Sequence, residues 1–294
     1  MKPIRPAVLQ AVAELDLHAR RNITSLLAGN YRTPHRGSGM QFKEFRHYEP
    51  GDDIRHMSWA VTARTGRATI KLYEEERELD ILVLVDTSGS SLFGSKKARK
   101  IEMYQDLLAL IGLASIKSGD NPGLLLFNSK PGTYFPPRRT REQVMVSLVE
   151  LERQKLQGNK SDLRPALQFA HAVLKNRALI FIVSDFLLPS FKEELSLITR
   201  KHEVVLLHCY DDFEEGKMDE GVYEVCDPET GDFFLIDGNS AQTRLTLLEH
   251  QKDLRGQLRA QARACGSDFL SLNLQEDYLR NVVRYFNLRG LSKG

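Results

Sequence analysis

The sequence predicts an α/β protein built on a doubly wound, mostly parallel central sheet. From residue 79 onward, short uninterrupted apolar runs alternate with longer amphipathic stretches, which is the pattern of parallel strands covered by helices on both faces. The 294 residues include 41% hydrophobic and 27% charged side chains, a balance typical of folded globular proteins. A chain of this length is long enough for one large domain, or two ordinary ones, with a substantial core.

The first 77 residues are expected to form an extension that packs on the main domain. Apolar residues at helical spacing predict one long helix over residues 3–28. A stretch rich in Gly, Pro and charge follows, and it predicts irregular chain with one short strand near residues 40–45. Residues 57–64 and 68–75 are both β-capable and flank a short glycine-containing turn, so we expect a β-hairpin there.

Residues 78–289 are expected to form the main domain. Its strands are predicted at the apolar runs, residues 79–85, 124–127, 179–183, 204–208 and 269–272, with an antiparallel edge strand at 133–135. Its helices are predicted at the amphipathic stretches, residues 98–116, 141–153, 163–175, 191–199, 241–265 and 276–286. The interval 211–240 is acidic at first and holds two further β-like runs, which predict a hairpin inserted late in the domain.

Charge and hydropathy limit the possible partners. The formal net charge is only +2, which predicts neither nucleic acid nor a membrane surface as a partner. Residues 20–71 nevertheless carry ten basic and four acidic side chains, so a nucleic-acid surface remains an alternative for this basic segment. We expect instead that its arginines pair with nearby acids, and Arg46 and Arg55 are candidate partner-binding residues.

Hydropathy also predicts where the protein resides. The longest uncharged apolar stretch is ten residues, Leu107 to Ile116, which is far too short to cross a bilayer. The N-terminal residues carry charges within their apolar periodicity, unlike a signal peptide. We therefore expect no membrane span and a cytoplasmic location.

Side chains with oxygen atoms follow two of the predicted strands and precede one predicted helix. The carboxyl ends of parallel strands meet at one edge of a sheet, so these side chains are expected to converge there. Hard oxygen ligands in small number suit Mg²⁺ or Mn²⁺. Asp86 taken alone is equally explained as a helix-capping residue. The predicted metal ligands are Asp86, Ser88, Ser90, Ser161 and Asp185.

The order of these residues resembles the metal-ion-dependent adhesion site of von Willebrand factor type A domains, over residues 79–286. The resemblance assigns Asp86, Ser88 and Ser90 to the first motif, Ser161 to a position usually held by threonine, and Asp185 to the aspartate of the third loop. It implies a cation with an exchangeable position that an acidic side chain of a partner protein completes. Lys160 and Asp162 are further candidate partner-binding residues.

The N-terminal part of the chain resembles one particular family that contains such a domain. Residues 39–59 read GMQFKEFRHYEPGDDIRHMSW, which is similar to the signature of the bacterial family called domain of unknown function 58. That family joins this signature to a von Willebrand A-like domain, and its members are typically encoded beside MoxR-type AAA+ ATPases. The resemblance implies an adaptor or cofactor of such an ATPase in protein remodelling or complex maturation. The expected partner is the ATPase, its client, or both, and no catalysis is expected.

Two other functions remain open at this stage. A Mg²⁺-dependent phosphohydrolase could use Asp86 as its nucleophile, although position 88 is serine where such an enzyme would want a second carboxylate. Lys160 is the nearest candidate for its lysine clamp. A metal-free scaffold would instead bind partners through the N-terminal segment. The acidic runs 74–76 and 211–215 are expected to be solvated faces.

Overall fold

The computed structural model describes residues 3–15, 40–49, 52–75, 78–96, 98–154, 156, 160–227 and 230–291. The chain divides into two compact units. The main unit comprises Met1–Leu27 and Leu79–Gly294, and the small unit comprises Ala28–Glu78. The helix near the start of the chain therefore belongs to the main unit.

Ten strands and eight α-helices lie within the described residues. The strands are β1 (Met40–His47), β2 (Thr69–Glu75), β3 (Asp80–Asp86), β4 (Asn121–Phe127), β5 (Pro131–Phe135), β6 (Ala178–Ser184), β7 (Glu203–Tyr210), β8 (Val222–Cys226), β9 (Phe233–Asp237) and β10 (Asp268–Asn273). The helices are α1 (Pro6–Glu14), α2 (Trp59–Thr65), α3 (Lys100–Lys117), α4 (Arg141–Arg153), α5 (Leu163–Val173), α6 (Lys192–Thr199), α7 (Ala241–Cys265) and α8 (Tyr278–Leu291). No α-helix in these ranges combines the length and the hydropathy needed to cross a bilayer.

A six-stranded sheet forms the centre of the main unit. Its strand order is β10-β7-β6-β3-β4-β5, and every neighbouring pair is parallel except β4 and β5. This confirms the predicted doubly wound, mostly parallel sheet with an antiparallel edge. The chain runs from β3 outward to β4, and later returns to place β6 on the other side of β3. The strand order therefore reverses beside β3, where ligands gather in folds of this class.

Alternate residues of the strands build two core layers, one on each face of the sheet. In β3, Val83 and Val85 contact the layer that contains α1, α3 and α8. Leu82 and Leu84 contact the layer that contains α5, α6 and α7. Because both faces are covered, the strands are apolar without alternation between their ends, as in residues 81–85 of β3 and 178–183 of β6.

The N-terminal helix is shorter than predicted. Helix α1 begins with Pro6 in its first turn and ends at Glu14, because Leu15 adopts an extended conformation. Val8, Ala11 and Leu15 are buried in the same core layer as α3. Residues 16–28 of the predicted helix lie outside the described residues.

The β-hairpin predicted over residues 57–64 and 68–75 is wrong. Residues 59–65 form helix α2, and the turn that follows is its C-cap, where Gly66 adopts a φ of 71°. Strand β2 pairs instead with β1 in antiparallel register, with Phe45 opposite Lys71. The turn looked like a hairpin turn because glycine serves a left-handed helix cap equally well.

The predicted hairpin insertion in residues 211–240 is confirmed. Strands β8 and β9 pair antiparallel in a two-stranded sheet of their own. The acidic run before them is not the solvated face that was expected. Asp211 is fully buried and forms a capping box with Glu214 around the 3₁₀ turn Asp212–Glu215. Glu215 is also buried and pairs with Lys217 and Arg255.

Candidate metal site

The five predicted metal ligands meet at the carboxyl edge of the sheet, beside the reversal of strand order. Asp86 ends β3, and Asp185 follows the last residue of the neighbouring strand β6. Ser88 and Ser90 lie on the loop after β3, which a hydrogen bond from the Thr87 amide to the Phe127 carbonyl (2.7 Å) ties to β4. The topology therefore brings together loops that are about a hundred residues apart in sequence.

Asp86 accepts hydrogen bonds from three residues of the site. Its Oδ1 accepts from the backbone N–H of Ser88 at 2.9 Å. Its Oδ2 accepts from the hydroxyl of Ser161 at 2.8 Å and from the hydroxyl of Ser184 at 2.7 Å. Asp86 is only 1% exposed, so these donors hold a buried carboxylate in one orientation.

Ser88 and Ser90 place two hydroxyls beside the aspartates. Their Oγ atoms lie 3.1 Å apart, and the Ser90 hydroxyl helps to lower the pKa of Asp185. Ser88 is followed by the 3₁₀ turn Gly89–Leu92, which brings both hydroxyls to the same side of the loop. Ser88 is fully buried, whereas Ser90 is partly exposed.

The loop after β6 is held by its own backbone and by a buried lysine. The Leu187 amide donates to Asp185 Oδ1 at 3.2 Å, and Lys100 Nζ donates to Asp185 Oδ2 at 3.0 Å. Phe186, a non-glycine residue, adopts a φ of 57°, a strained conformation that often marks functional loops. Its amide donates to the Ser184 hydroxyl at 2.9 Å.

The pKa values of the two aspartates are shifted in opposite directions from their usual value. Burial and the nearby charge of Asp185 raise the pKa of Asp86, against the hydrogen bonds from Ser184 and Ser88. Burial would also raise the pKa of Asp185, but the charge and hydrogen bond of Lys100 outweigh it and hold that pKa below its usual value. The site therefore contains one firmly ionised carboxylate beside one whose negative charge is costly.

The donor set fits a hard divalent cation. Every polar side-chain atom of the five residues is an oxygen, which suits Mg²⁺ or Mn²⁺ and not zinc. Two carboxylates held together in a buried site also favour a positive charge near them. No group of three or more His, Cys, Asp or Glu that could hold a metal lies in the part of the chain that the structure describes. A cation at this site would therefore depend on serine hydroxyls.

Comparison with known proteins assigns the family. The family model for the protein of unknown function DUF58 matches residues 44–257. The chain belongs to the DUF58 family. An uncharacterized protein of Mycobacterium tuberculosis, Rv1480, is 28% identical over 286 residues, covering 95% of this chain and 89% of the relative. The uncharacterized protein Mb1516 of Mycobacterium bovis gives the same values.

Solved structures resemble this DUF58 protein only distantly. BatB from Bacteroides thetaiotaomicron has a TM-score of 0.47 at 11% identity, covering 73% of this chain and all of that one. The SpRpn10 VWA domain has a TM-score of 0.42 at 12% identity, covering 71% of this chain and 95% of that one. Neither likeness carries a functional argument. The doubly wound α/β fold rests on the order and pairing of the strands themselves.

Three residues of the DUF58 site were not among the predicted ligands. Ser184 precedes Asp185 and donates to Asp86, and a strand-end hydroxyl was its signal in the sequence. Lys100 is fully buried, and its spacing to Met103 and Tyr104 places it on the buried stripe of α3. Glu214 accepts from Lys100 Nζ at 2.7 Å. Glu214 lies in the acidic run 211–215, and the sequence of that run has no pattern that distinguishes buried from solvated residues.

The predicted partner-binding residues differ in their surroundings. Lys160 is exposed next to Ser161. Asp162 caps α5, accepting from the Arg164 amide at 3.0 Å, and pairs with the Arg164 guanidinium at 2.7 Å. In the small unit, Arg46 pairs with Glu49 and Asp52 at 2.8 Å, and Arg55 pairs with Asp53 at 2.7 Å. Arg46 and Arg55 thus pair with acids nearby in sequence.

Proposed function

We propose that this DUF58 protein is a protein-binding module that meets its partner through a divalent cation, Mg²⁺ or Mn²⁺. The cation would be held, directly or through water, by Asp86, Ser88, Ser90, Ser161 and Asp185. One observation carries the proposal: at the strand-order reversal of a parallel sheet, Ser161 donates to Asp86, the Ser88 and Ser90 hydroxyls lie 3.1 Å apart, and the charge of Asp185 acts on Asp86.

Each residue has a distinct part in this mechanism. When bound, the cation would supply a positive contact for an acidic side chain of the partner. Ser161 and Ser184 fix the orientation of Asp86 by donating to its Oδ2 atom. Ser90, the partly exposed member, marks the side from which a partner approaches. Lys100 holds Asp185 ionised and in place.

The proposed partner is a MoxR-type AAA+ ATPase, or a client of that ATPase, during protein remodelling or complex maturation. This choice depends on the family resemblance, because the site chemistry selects only an acidic contact group. The protein is proposed to act in the cytoplasm as an adaptor or cofactor and to catalyse no reaction itself.

A metal-free scaffold is the second candidate, and Lys100 favours it. Its ammonium group already supplies a buried positive charge to Asp185 and Glu214. In that case the hydrogen-bond network at the strand ends would serve the fold, and partner binding would take place elsewhere. A phosphohydrolase has less support, because Asp86 is 1% exposed and both of its carboxylate oxygens already accept hydrogen bonds.

Calorimetric titration of the full chain with MgCl₂ tests the cation. We expect saturable binding that is lost in Asp86→Asn, a variant that keeps the shape of the side chain. Asp162→Asn is the matched control, since Asp162 is a neighbouring aspartate that caps α5 and should leave Mg²⁺ binding unchanged. Absence of Mg²⁺ and Mn²⁺ binding to the unaltered chain would support the metal-free scaffold.

Binding to the purified MoxR-type ATPase of the same organism tests the partner. An ATPase needs Mg²⁺ for its own nucleotide, so the comparison is between variants in one Mg²⁺ buffer rather than between Mg²⁺ and a chelator. We expect the Asp162→Asn chain to bind the ATPase and the Asp86→Asn chain to fail. Equal binding by both variants would contradict a cation-mediated contact.

A further inference from the structure

The β8–β9 hairpin has an apolar face directed to solvent. In its register Val222 lies opposite Asp237, Glu224 opposite Leu235, and Cys226 opposite Phe233. Residues that lie opposite each other share one side of a two-stranded sheet. We call these six residues the outer face. Its three large apolar members, Val222, Phe233 and Leu235, are 65%, 67% and 76% exposed.

The other face of the hairpin carries the packing. The Tyr223 ring meets the Phe213 ring edge-on, with centroids 5.3 Å apart, and the Tyr223 hydroxyl donates to the Asp219 carbonyl at 2.9 Å. The Phe93 ring lies against the Phe213 ring, with centroids 5.9 Å apart. The outer face is therefore not needed to attach the hairpin. Exposed apolar clusters of this kind commonly mark interaction sites.

The acidic side chains on and beside the outer face indicate what kind of partner binds there. Residues 219–237, which contain the hairpin, include seven acidic side chains and no basic one. Glu224 and Asp237 lie on the outer face itself, and Glu220 and Asp232 are exposed beside it. This potential repels anionic lipid surfaces and nucleic-acid phosphates, and it attracts basic polypeptide.

We infer that the outer face is a docking surface for an extended partner protein segment in which every second residue faces the hairpin, and these facing residues are in turn large apolar residues and lysine or arginine. The apolar side chains cover Val222, Phe233 and Leu235, while the basic ones meet Glu224 and Asp237. An extended segment presents every second side chain to a sheet face, so the apolar and basic residues that meet the outer face are two positions apart in the partner. This surface is separate from the candidate metal site and does not depend on the proposed cation.

A labelled peptide of about twelve residues that repeats valine, serine, lysine, serine is the probe for the full chain, because its valines and lysines lie on the same side of an extended segment. We expect saturable binding by fluorescence anisotropy, weaker at about 300 mM than at about 50 mM salt. Phe233→Ser with Leu235→Ser should weaken binding by at least about tenfold, a loss that is easily measured. Glu224→Lys with Asp237→Lys should do the same. Val146→Ser, which removes another half-exposed valine on α4, should have no effect.

Several outcomes of these experiments would contradict the inference. Absence of saturable peptide binding, or binding that the Phe233→Ser, Leu235→Ser chain retains, contradicts it. Self-association in sedimentation velocity that this double variant abolishes would assign the face to a second copy of the chain. Binding to vesicles of phosphatidylcholine and phosphatidylglycerol that the variant abolishes would assign it to lipid. The Asp86→Asn chain should bind the peptide normally, which separates this result from a failure of the metal proposal.

Discussion

Lys100 Nζ lies 3.0 Å from a carboxylate oxygen of Asp185, and both side chains are almost completely buried, at 0% and 3% exposure. The same ammonium group contacts Glu214 at 2.7 Å, in the turn that precedes the hairpin insertion. The ammonium group of Lys100 therefore joins Asp185, at the edge of the central sheet, to Glu214, in the acidic run 211–215. Burial would lower the pKa of Lys100, but the two carboxylates raise it, so the lysine stays charged.

Replacing Lys100 should therefore be costly. We expect Lys100→Met to lower the free energy of unfolding by about 3–5 kcal/mol, because two buried carboxylates lose their shared positive charge. Urea denaturation of the full chain, followed by circular dichroism, measures the change. Lys96→Met is the control, since Lys96 is 65% exposed and lies 3.9 Å from Asp212, and we expect less than about 1 kcal/mol there. Similar losses in both variants would contradict the assigned role of Lys100.

Ser161 should decide how well a cation is held. We expect Ser161→Ala to weaken Mg²⁺ binding by about ten- to a hundredfold, because a proposed ligand and a donor to Asp86 are both removed. Ser161→Thr retains the hydroxyl, and its branched side chain has fewer rotamers, so binding should be kept. Calorimetry compares the two variants directly. Equal affinities in the alanine and threonine variants would exclude Ser161 from the site.

His202 should make the stability depend on pH. Burial, together with Lys201, His171 and Arg177, lowers its pKa from 6.5 to about 4. Between these values the unfolded chain binds a proton that the folded chain does not, so stability is full above pH 6.5 and falls as the pH is lowered towards 4.

The matching variant is His202→Asn, which keeps an acceptor for the Ala178 amide. Between pH 6.5 and 4 it should lose about 2–3 kcal/mol less stability than the unaltered chain. Urea denaturation at both pH values measures this difference. His250→Asn, at an exposed histidine, should follow the unaltered chain. A parallel loss in all three chains would show that other groups cause the pH dependence.

Two glycines should respond to alanine with opposite signs. Gly216 adopts a φ of 71°, and a Cβ atom there would overlap the backbone carbonyl of Arg244. We expect Gly216→Ala to cost more than about 2 kcal/mol. Gly256 lies within α7 with no atom near its Cβ position, so Gly256→Ala should stabilise by about 0.5–1 kcal/mol. Thermal unfolding of the two variants gives both signs.

Helix boundaries followed the sequence most closely where capping residues are local. Helices α4 and α7 begin and end at the predicted residues. Thr140 accepts from the Gln143 amide and Ser240 from the Thr243 amide, and these N-caps fix the residue at which each helix begins. Gly266 adopts a φ of 71° and ends α7. Such signals act within a few residues, so the chain itself carries them.

Pairing between distant strands was harder to predict. Residues 57–64 have a β-capable composition, yet β2 pairs with β1, and residues 59–65 form helix α2. Met57 keeps only an isolated bridge to Ile70. The local composition of residues 57–64 does not decide which segment pairs with β2. The segment that does so is β1, which lies more than twenty residues before β2 in sequence.

The sequence alone determined the doubly wound sheet and the set of five oxygen-bearing residues at its carboxyl edge, because apolar runs and strand ends are local signals. Their role as metal ligands stays a prediction. Only the tertiary structure decided that Lys100 and Glu214 belong behind the site and that the outer face of the hairpin is uncovered. Burial of a charged side chain depends on which elements pack around it, and a run such as residues 211–215 contains fully buried and partly exposed acids without any local mark that separates them.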